Sequence, residues 1–278
     1  MSALCQKKLR INLAQLIAIF ACALITTVTA LAEPIPVHHR EGVSHGFLVL
    51  RSLQGKILAS GDLFQVVKGD QITSEIIFHF KDGSLHDETT IFTQERFFRL
   101  VSDHLIQKGP SFPHPVDILI DASKNEVTIH ASDKGKDKDE TKHFDLPEDL
   151  SNGLVLTLLR NISGQSHEKV SVLSTSSKPQ LVKLSISATG ERTFYVAGSP
   201  RKATDFDIKV EIGGVKGAVA PLVGKQPPDT HVWMSAGTIP TFVASEESFY
   251  ERGPIWRAEL ATPNIPDEQK VTHRKGER

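Results

Sequence analysis

The chain of 278 residues carries a formal net charge of −1, and this balance argues against a protein that binds nucleic acid or another polyanion. Its two cysteines, Cys5 and Cys22, both lie near the amino terminus. A disulfide framework in the rest of the chain is therefore excluded.

The first 32 residues have the three parts of a signal peptide. Lys7, Lys8 and Arg10 form a positive region, residues 11–23 are mostly apolar, and Ala30-Leu31-Ala32 supplies the small residues of a cleavage site. We expect residues 1–32 to be removed on export. The rest of the chain then has no cysteine, which fits the bacterial periplasm or secretion better than a small disulfide-linked scaffold.

Two alternatives concern the same segment. A transmembrane anchor is disfavoured because Asn12 and Gln15 interrupt the apolar run, so we expect no stable membrane span in the mature chain. A lipid anchor at Cys22 is the second alternative. It is the less favoured interpretation because Phe20 is bulky for such a signal, and because the residues after Cys22 are apolar rather than a polar tether.

Seven predicted strands follow a polar lead-in over residues 33–44, which we expect to be flexible and solvated, including His38-His39. Alternation of apolar and polar residues predicts strands at 46–52, 56–69, 72–80, 85–93, 97–107, 116–121 and 126–132. One face of the third strand carries Ile76, Phe78 and Phe80. Asp82-Gly83 predicts the hairpin turn that follows this strand.

The pattern changes after the seventh strand. Residues 133–142 form a run of mixed charge, which predicts a solvated hairpin tip. Leucines then recur every fourth residue, at Leu150, Leu154 and Leu158 among others, and this spacing predicts a helix over 146–162. Gly153 weakens that helix, so we expect it to mark close packing against the sheet.

Strands resume beyond the predicted helix, at 168–175, 180–188, 192–198 and 205–212 and within HVWMSAG, TIPTFVASEES and PIWRAEL. Thr189-Gly190-Glu191 predicts a turn, and alternation places Phe206 inward and Asp207 in water. Residues 263–278 are polar, and we expect them to form a disordered tail. The whole pattern predicts one mainly β domain over 45–262. We expect a strongly curved antiparallel sheet or open half-barrel, with one principal α-helix packed on its concave face.

This layout resembles the LolA/LolB-like superfamily of exported bacterial proteins. The likeness covers roughly residues 44–260 as a pattern, and its one motif-like part is the segment Asp149-Leu150-Ser151 followed by Leu158, Leu159 and Arg160. The resemblance implies an incomplete β-barrel with a helical lid over an apolar cavity that holds acyl chains. No ligand-binding residue of the family can be assigned individually to this chain.

Three histidines, His79, His86 and His104, fall on neighbouring predicted strands, with acidic residues close by. Three or four converging nitrogen and oxygen ligands would suit zinc, and a metal-dependent hydrolase would follow. The strand register opposes this hypothesis, because His79 shares a face with Glu75 and Ile77 and the turn geometry does not guarantee that His86 or His104 joins them. We therefore expect cross-strand or surface histidines.

No pattern predicts a catalytic centre or a cofactor. The chain has no Gly-x-Ser-x-Gly elbow that joins a predicted strand to a predicted helix and no phosphate-binding loop, and the adjacent acids Asp87 and Glu88 point to opposite faces of a strand. The favoured hypothesis is an exported, non-catalytic envelope protein that binds or carries a lipid or another apolar ligand. The candidate contact residues are Ile76, Phe78, Phe80, Leu150, Leu154 and Leu158. The alternative is a structural or interaction module of the envelope, in which the same residues fill a core and a protein is the partner.

Overall fold

A single antiparallel sheet dominates the computed structural model, which describes residues 34–133, 136–164, 166–175, 178–196, 199–211 and 227–261. The strands of the described part are β1 (Ser44–Ser52), β2 (Ile57–Lys68), β3 (Gln71–Phe80), β4 (Leu85–Gln94), β5 (Phe98–Lys108), β6 (Val116–Asp121), β7 (Glu126–Asp133), β8 (Lys136–His143), β9 (His167–Leu173), β10 (Leu181–Val196), β11 (Ser199–Glu211), β12 (Thr230–Ser235), β13 (Phe242–Ser248) and β14 (Ile255–Leu260). The described helix is α1 (Val155–Leu159).

The sheet is open, with β8 and β9 at its two edges. Its order is β8-β7-β6-β5-β4-β3-β2-β1-β14-β13-β12-β11-β10-β9, so that β1 and β14 pair in the middle. The prediction of a mainly β fold with one open antiparallel sheet is confirmed. Most predicted strands lie within two residues of their observed bounds, and Gly83 occupies the predicted turn with a φ of 85° that suits glycine.

Two predicted turns are in fact strand. Thr189-Gly190-Glu191 does not reverse the chain, because Gly190 sits at a bulge inside the continuous strand β10. The charged run 133–142 is mostly the edge strand β8 rather than a hairpin tip. Charged residues suit an edge strand because they discourage pairing with another chain. Oδ1 of Asp139 in this strand lies 2.7 Å from the ring nitrogen Nδ1 of His130 on β7.

The predicted helix over 146–162 is wrong, because only Val155–Leu159 is helical. Gly153 adopts a φ of 65°, a left-handed conformation that interrupts a right-handed helix just before α1. One principal helix on the concave face is therefore not supported. Leu150, Leu154 and Leu158 are nevertheless buried, so their spacing correctly marked core residues while misjudging the backbone.

The segment 149–153, which contains the Asp-Leu-Ser sequence, joins one sheet edge to a distant part of the same sheet. Ser151 donates its backbone N–H to the carbonyl of Ser171 in β9, and the Asn152 side chain exchanges two hydrogen bonds with the backbone of Leu173. The next residue, Gly153, lies against Thr90 of β4 and Asp103 of β5. Adjacent residues reach both parts only because the sheet curves around them.

The predicted lead-in is attached to the sheet rather than free of it. Ile35 is buried, and a short antiparallel bridge joins Pro36 to Phe97. The Gln94 side chain accepts from the backbone N–H of Glu41 and donates to its carbonyl. The predicted signal peptide 1–32 and tail 263–278 lie outside the described residues. No helix in the described part of the chain is long and apolar enough to cross a membrane.

Candidate functional site

The six apolar residues predicted to contact a ligand lie in one hydrophobic core. Five of them are buried, and Ile76 is half-buried. Phe78 and Phe80 belong to a group of stacked and edge-on rings on the inner face, the face of the sheet that carries both. Phe80 lies 5.3 Å from the ring centres of both Phe112 and Trp256. Rings fill this end of the interior, which makes it core.

The three histidines predicted as metal ligands do not converge. His86 pairs with Phe78 on the inner face and is buried, whereas His79 is exposed on the outer face. His104 is also on the outer face, where its ring nitrogen lies 2.9 Å from Asp117. In the described part of the chain, no group of three histidine, cysteine or acidic side chains has a geometry that could hold a metal ion.

Three acidic side chains that the sequence did not single out as a group occupy the inner face. Glu88 of β4, Asp103 of β5 and Glu247 of β13 interact electrostatically there. Burial raises the pKa of Asp103 to about 6, although its hydrogen bond from Thr90 acts in the opposite direction. Burial and the neighbouring Asp103 and Glu247 carboxyl groups raise the pKa of Glu88 well above its ordinary value.

The strand register could have revealed part of this acidic group. Glu88 alternates in phase with His86 and Thr90, and Asp103 is in phase with Leu105, so both acids lie on the apolar face. Glu88 faces inward but is only half-buried. Part of Glu88 therefore remains accessible to solvent.

A second polar group lies on the outer face of β11 and β12, where Asp205, Asp207 and Trp233 are buried. Asp205 pairs with Trp233 and Asp207 with His231, and one side-chain atom of each of these four residues is buried without a hydrogen bond. The prediction that Asp207 faces water is wrong, since the residue is 9% exposed. The Arg192 guanidinium lies over the Trp233 ring, 4.8 Å from its centre.

A cleft of about 380 Å³ lies where the residues after α1 face β11 and β12, and its size is in the range of small-molecule sites. Its apolar lining includes Leu159, Phe206 and Met234, all buried. Its polar lining includes His38, His39, Arg160 and Asn161, and residues 236–238 border it. The cleft therefore joins an apolar wall to a basic one, an arrangement that suits an amphipathic ligand.

The basic wall is held in place by two side chains. Asn161 accepts hydrogen bonds from the backbone N–H groups of His38 and His39 at 2.8 and 2.6 Å, and donates to the Thr157 carbonyl. Arg160 donates to Glu41, whose side chain is fully buried. Burial raises the pKa of Glu41 even though Arg160 acts to lower it.

Sequence reasoning missed this cleft for identifiable reasons. His38-His39 was interpreted as a solvated linker, and Arg160 as the last turn of a helix. None of the six predicted contact residues lines the cleft. The adjacent pair of histidines in a short segment before the first strand was the available signal, but its partner Asn161 is more than a hundred residues away in the chain.

Comparisons with known proteins give a structural likeness at low identity. The chain matches no protein-family model and no curated protein. It is similar to a β-barrel-like protein of the domain of unknown function DUF1849 from Brucella abortus, at 10% identity and a TM-score of 0.45, over 82% of this chain and 100% of that one. It is also similar to the hypothetical lipoprotein YmcC from Escherichia coli (K12), at 12% identity and a TM-score of 0.35, over 92% and 99%.

Proposed function

We propose that the protein is an exported, non-catalytic binding protein of the bacterial envelope, and that the cleft beside α1 is its ligand site. The observation that carries the proposal is the cleft itself, which combines an apolar wall including Phe206 and Met234 with a basic wall including Arg160. A lipid or another small molecule with an alkyl chain fits this combination. The predicted signal peptide supports the location.

The site differs from the one expected from the sequence. The acyl-chain function implied by the LolA/LolB-like resemblance stays in the proposal, but the contact residues become those of the cleft. The predicted residues Phe78, Leu154 and Leu158 act as core, because they are almost completely buried. The metal hydrolase hypothesis is dropped, because His79, His86 and His104 do not meet.

Filling the cleft tests the proposal. Thr204 lines the cleft and is half-buried, so Thr204→Trp should occupy part of the ligand volume. We expect the wild type to bind decanol in native mass spectrometry and in displacement of a fluorescent apolar probe. The Thr204→Trp variant should bind it at least about ten-fold more weakly, because one large side chain removes several buried CH₂ contacts.

The matched control is Thr73→Trp, which adds the same side chain to the outer face of β3, away from the cleft. This variant should bind decanol as the wild type does. Equal loss of binding in both variants would mean that tryptophan acts through the fold and not through the cleft. Failure of a folded wild type to bind decanol or any other amphipath with a decyl chain would refute the proposed function.

A further inference from the structure

The basic residues that line the cleft have no acidic counterpart among the described lining residues. The described residues that line it include Arg160, His38 and His39 but no aspartate or glutamate. The carboxylate that pairs with Arg160 belongs to Glu41, which lies behind the lining with a fully buried side chain. A cationic ligand would meet no opposite charge on this surface, whereas an anionic group would meet a guanidinium and two imidazoles.

The basic side chains have unused hydrogen-bonding capacity. A guanidinium carries five N–H donors, and Glu41 accepts from one nitrogen of Arg160, whose side chain is 23% exposed. His38 and His39 hold Asn161 through their backbone N–H groups, so these hydrogen bonds do not engage the two imidazole rings. Planar N–H donors of this kind suit the oxygens of a carboxylate or phosphate.

The internal ion pair is incompletely satisfied. The Gln65 and Thr157 side chains join Arg160 in favouring the charged Glu41 carboxylate, whereas Arg160 Nε is buried without a hydrogen-bond partner. Burial also raises the pKa of Glu41 in spite of its arginine, which means that the buried carboxylate holds its charge at a cost. An anion entering the cleft would share Arg160 with the internal carboxylate of Glu41.

We infer that the occupant of the cleft is an amphipath with an anionic head group, a carboxylate or a phosphate. Its head contacts Arg160, His38 and His39, and its chain lies against Phe206 and Met234. This inference rests on the proposed binding function of the cleft and adds the chemical class of the ligand. Glu41 is the internal anion that limits how strongly the cleft holds that head group.

Three probes with the same alkyl chain test the head group: decanol, decanoate and decyl phosphate. Displacement of a fluorescent apolar probe gives the affinity of each. We expect decanoate, decyl phosphate or both to bind at least about ten-fold tighter than decanol, the difference expected for one charge-assisted hydrogen bond. Preference between the two anions identifies a fatty-acid-like or a phospholipid-like source.

Charge-changing variants assign the preference to the named residues. Arg160→Gln should abolish the advantage of the anionic probes while decanol binding persists. Glu41→Gln keeps the shape of the side chain and removes its charge, so it should increase the advantage. The double variant avoids leaving a buried unpaired carboxylate, and it should also lose the advantage. Arg201→Gln, an exposed change elsewhere on β11, is the charge control.

The outcomes separate the two claims. Equal affinity for all three probes in the wild type would overturn the anionic head group and leave the proposed binding function standing. Binding of none of them would refute the binding function itself. An anionic preference that survives in the folded double variant would also overturn the inference, because the preference would then arise elsewhere.

Discussion

Asp103 shows how one buried side chain makes stability depend on pH. Its carboxyl group is completely buried, and its pKa is raised from 3.8 to about 6 by burial. Between these values the folded state holds a proton that the unfolded state has released. The free energy of unfolding therefore falls as the pH rises through this window.

Replacing Asp103 by Asn should flatten this dependence. Asn can still accept the hydrogen bond that Thr90 donates at 2.8 Å, and it has no charge to bury. We expect Asp103→Asn to be more stable than the wild type at pH 7.5 by up to about 3 kcal/mol, and to show little gain at pH 4. Urea unfolding across this pH range measures both values.

Protonation of His86 changes stability with pH in the opposite direction, but it does not alter the comparison between the wild type and Asp103→Asn. Burial lowers the pKa of His86 to about 4, so His86 makes the wild type less stable as the pH falls from 6.5. Both proteins contain His86, and its contribution cancels in their difference. Asp87→Asn, on the opposite face of β4, is the control for removing one carboxylate. A stability difference that does not grow with pH would contradict the prediction.

At the scale of single elements, the irregular segment 149–152 acts as a cap on the edge strand β9. The Asn152 side chain donates to the Leu173 carbonyl at 2.9 Å and accepts from the Leu173 N–H at 2.8 Å. These are the two bonds that a neighbouring strand would otherwise make. The cap therefore protects an edge that would be open to pairing with another chain.

Removal of the cap should cost stability and solubility together. Asn152→Ala leaves both backbone groups of Leu173 without partners, so we expect a loss of roughly 2–3 kcal/mol in the free energy of unfolding. Light scattering should show stronger self-association of the folded variant. Ser163→Ala changes an exposed residue of the same connection and is the control. A loss no larger than that of the control would argue against the capping role.

The elements also show which features the sequence can reveal. Period-two alternation identified most strands, because one face of each is buried and the other is not. The helix failed for a reason of backbone geometry. Leucines four residues apart are buried in turns as well as in helices, and their spacing gives no sign of the positive φ at Gly153, which lies against Thr90 far away in the sequence.

The candidate site was harder to foresee than the fold. Its basic wall combines His38, His39 and Arg160 from two distant stretches, and its apolar wall comes from the second half of the sheet. Each residue had a plausible local interpretation as linker, helix end or core. Only the curvature of the sheet brings them together, and local patterns do not encode which strands face each other.

At the scale of the whole molecule, the contact at Gly153 holds the segment that follows β8 against β4 and β5. A Cβ atom there would lie 1.9 Å from Thr90 Oγ1 and 2.7 Å from Asp103 Oδ1, at a φ that disfavours side chains. We expect Gly153→Ala to lower the free energy of unfolding by roughly 3–5 kcal/mol, measured by urea denaturation.

The matched control for this change is Gly42→Ala. A Cβ atom at Gly42 would meet nothing within 4 Å, so the substitution should alter stability by less than about 1 kcal/mol. A Gly153→Ala variant as stable as this control would show that the segment can move away from the sheet. The close contact would then not be needed to hold the curved sheet together.

The pairing of β1 with β14 in the middle of the sheet sets an order for folding. Leu48 pairs with Leu260, so the first and last strands of the described domain must find each other across more than two hundred residues. The hairpins of β1 to β8 can form as soon as these strands are available, but one side of β1 then has no partner until β14 arrives. A chain that emerges with its amino terminus first would therefore expose the unpaired edge of β1 until β14 is available. Folding chains aggregate most readily at the stage when such an edge is exposed.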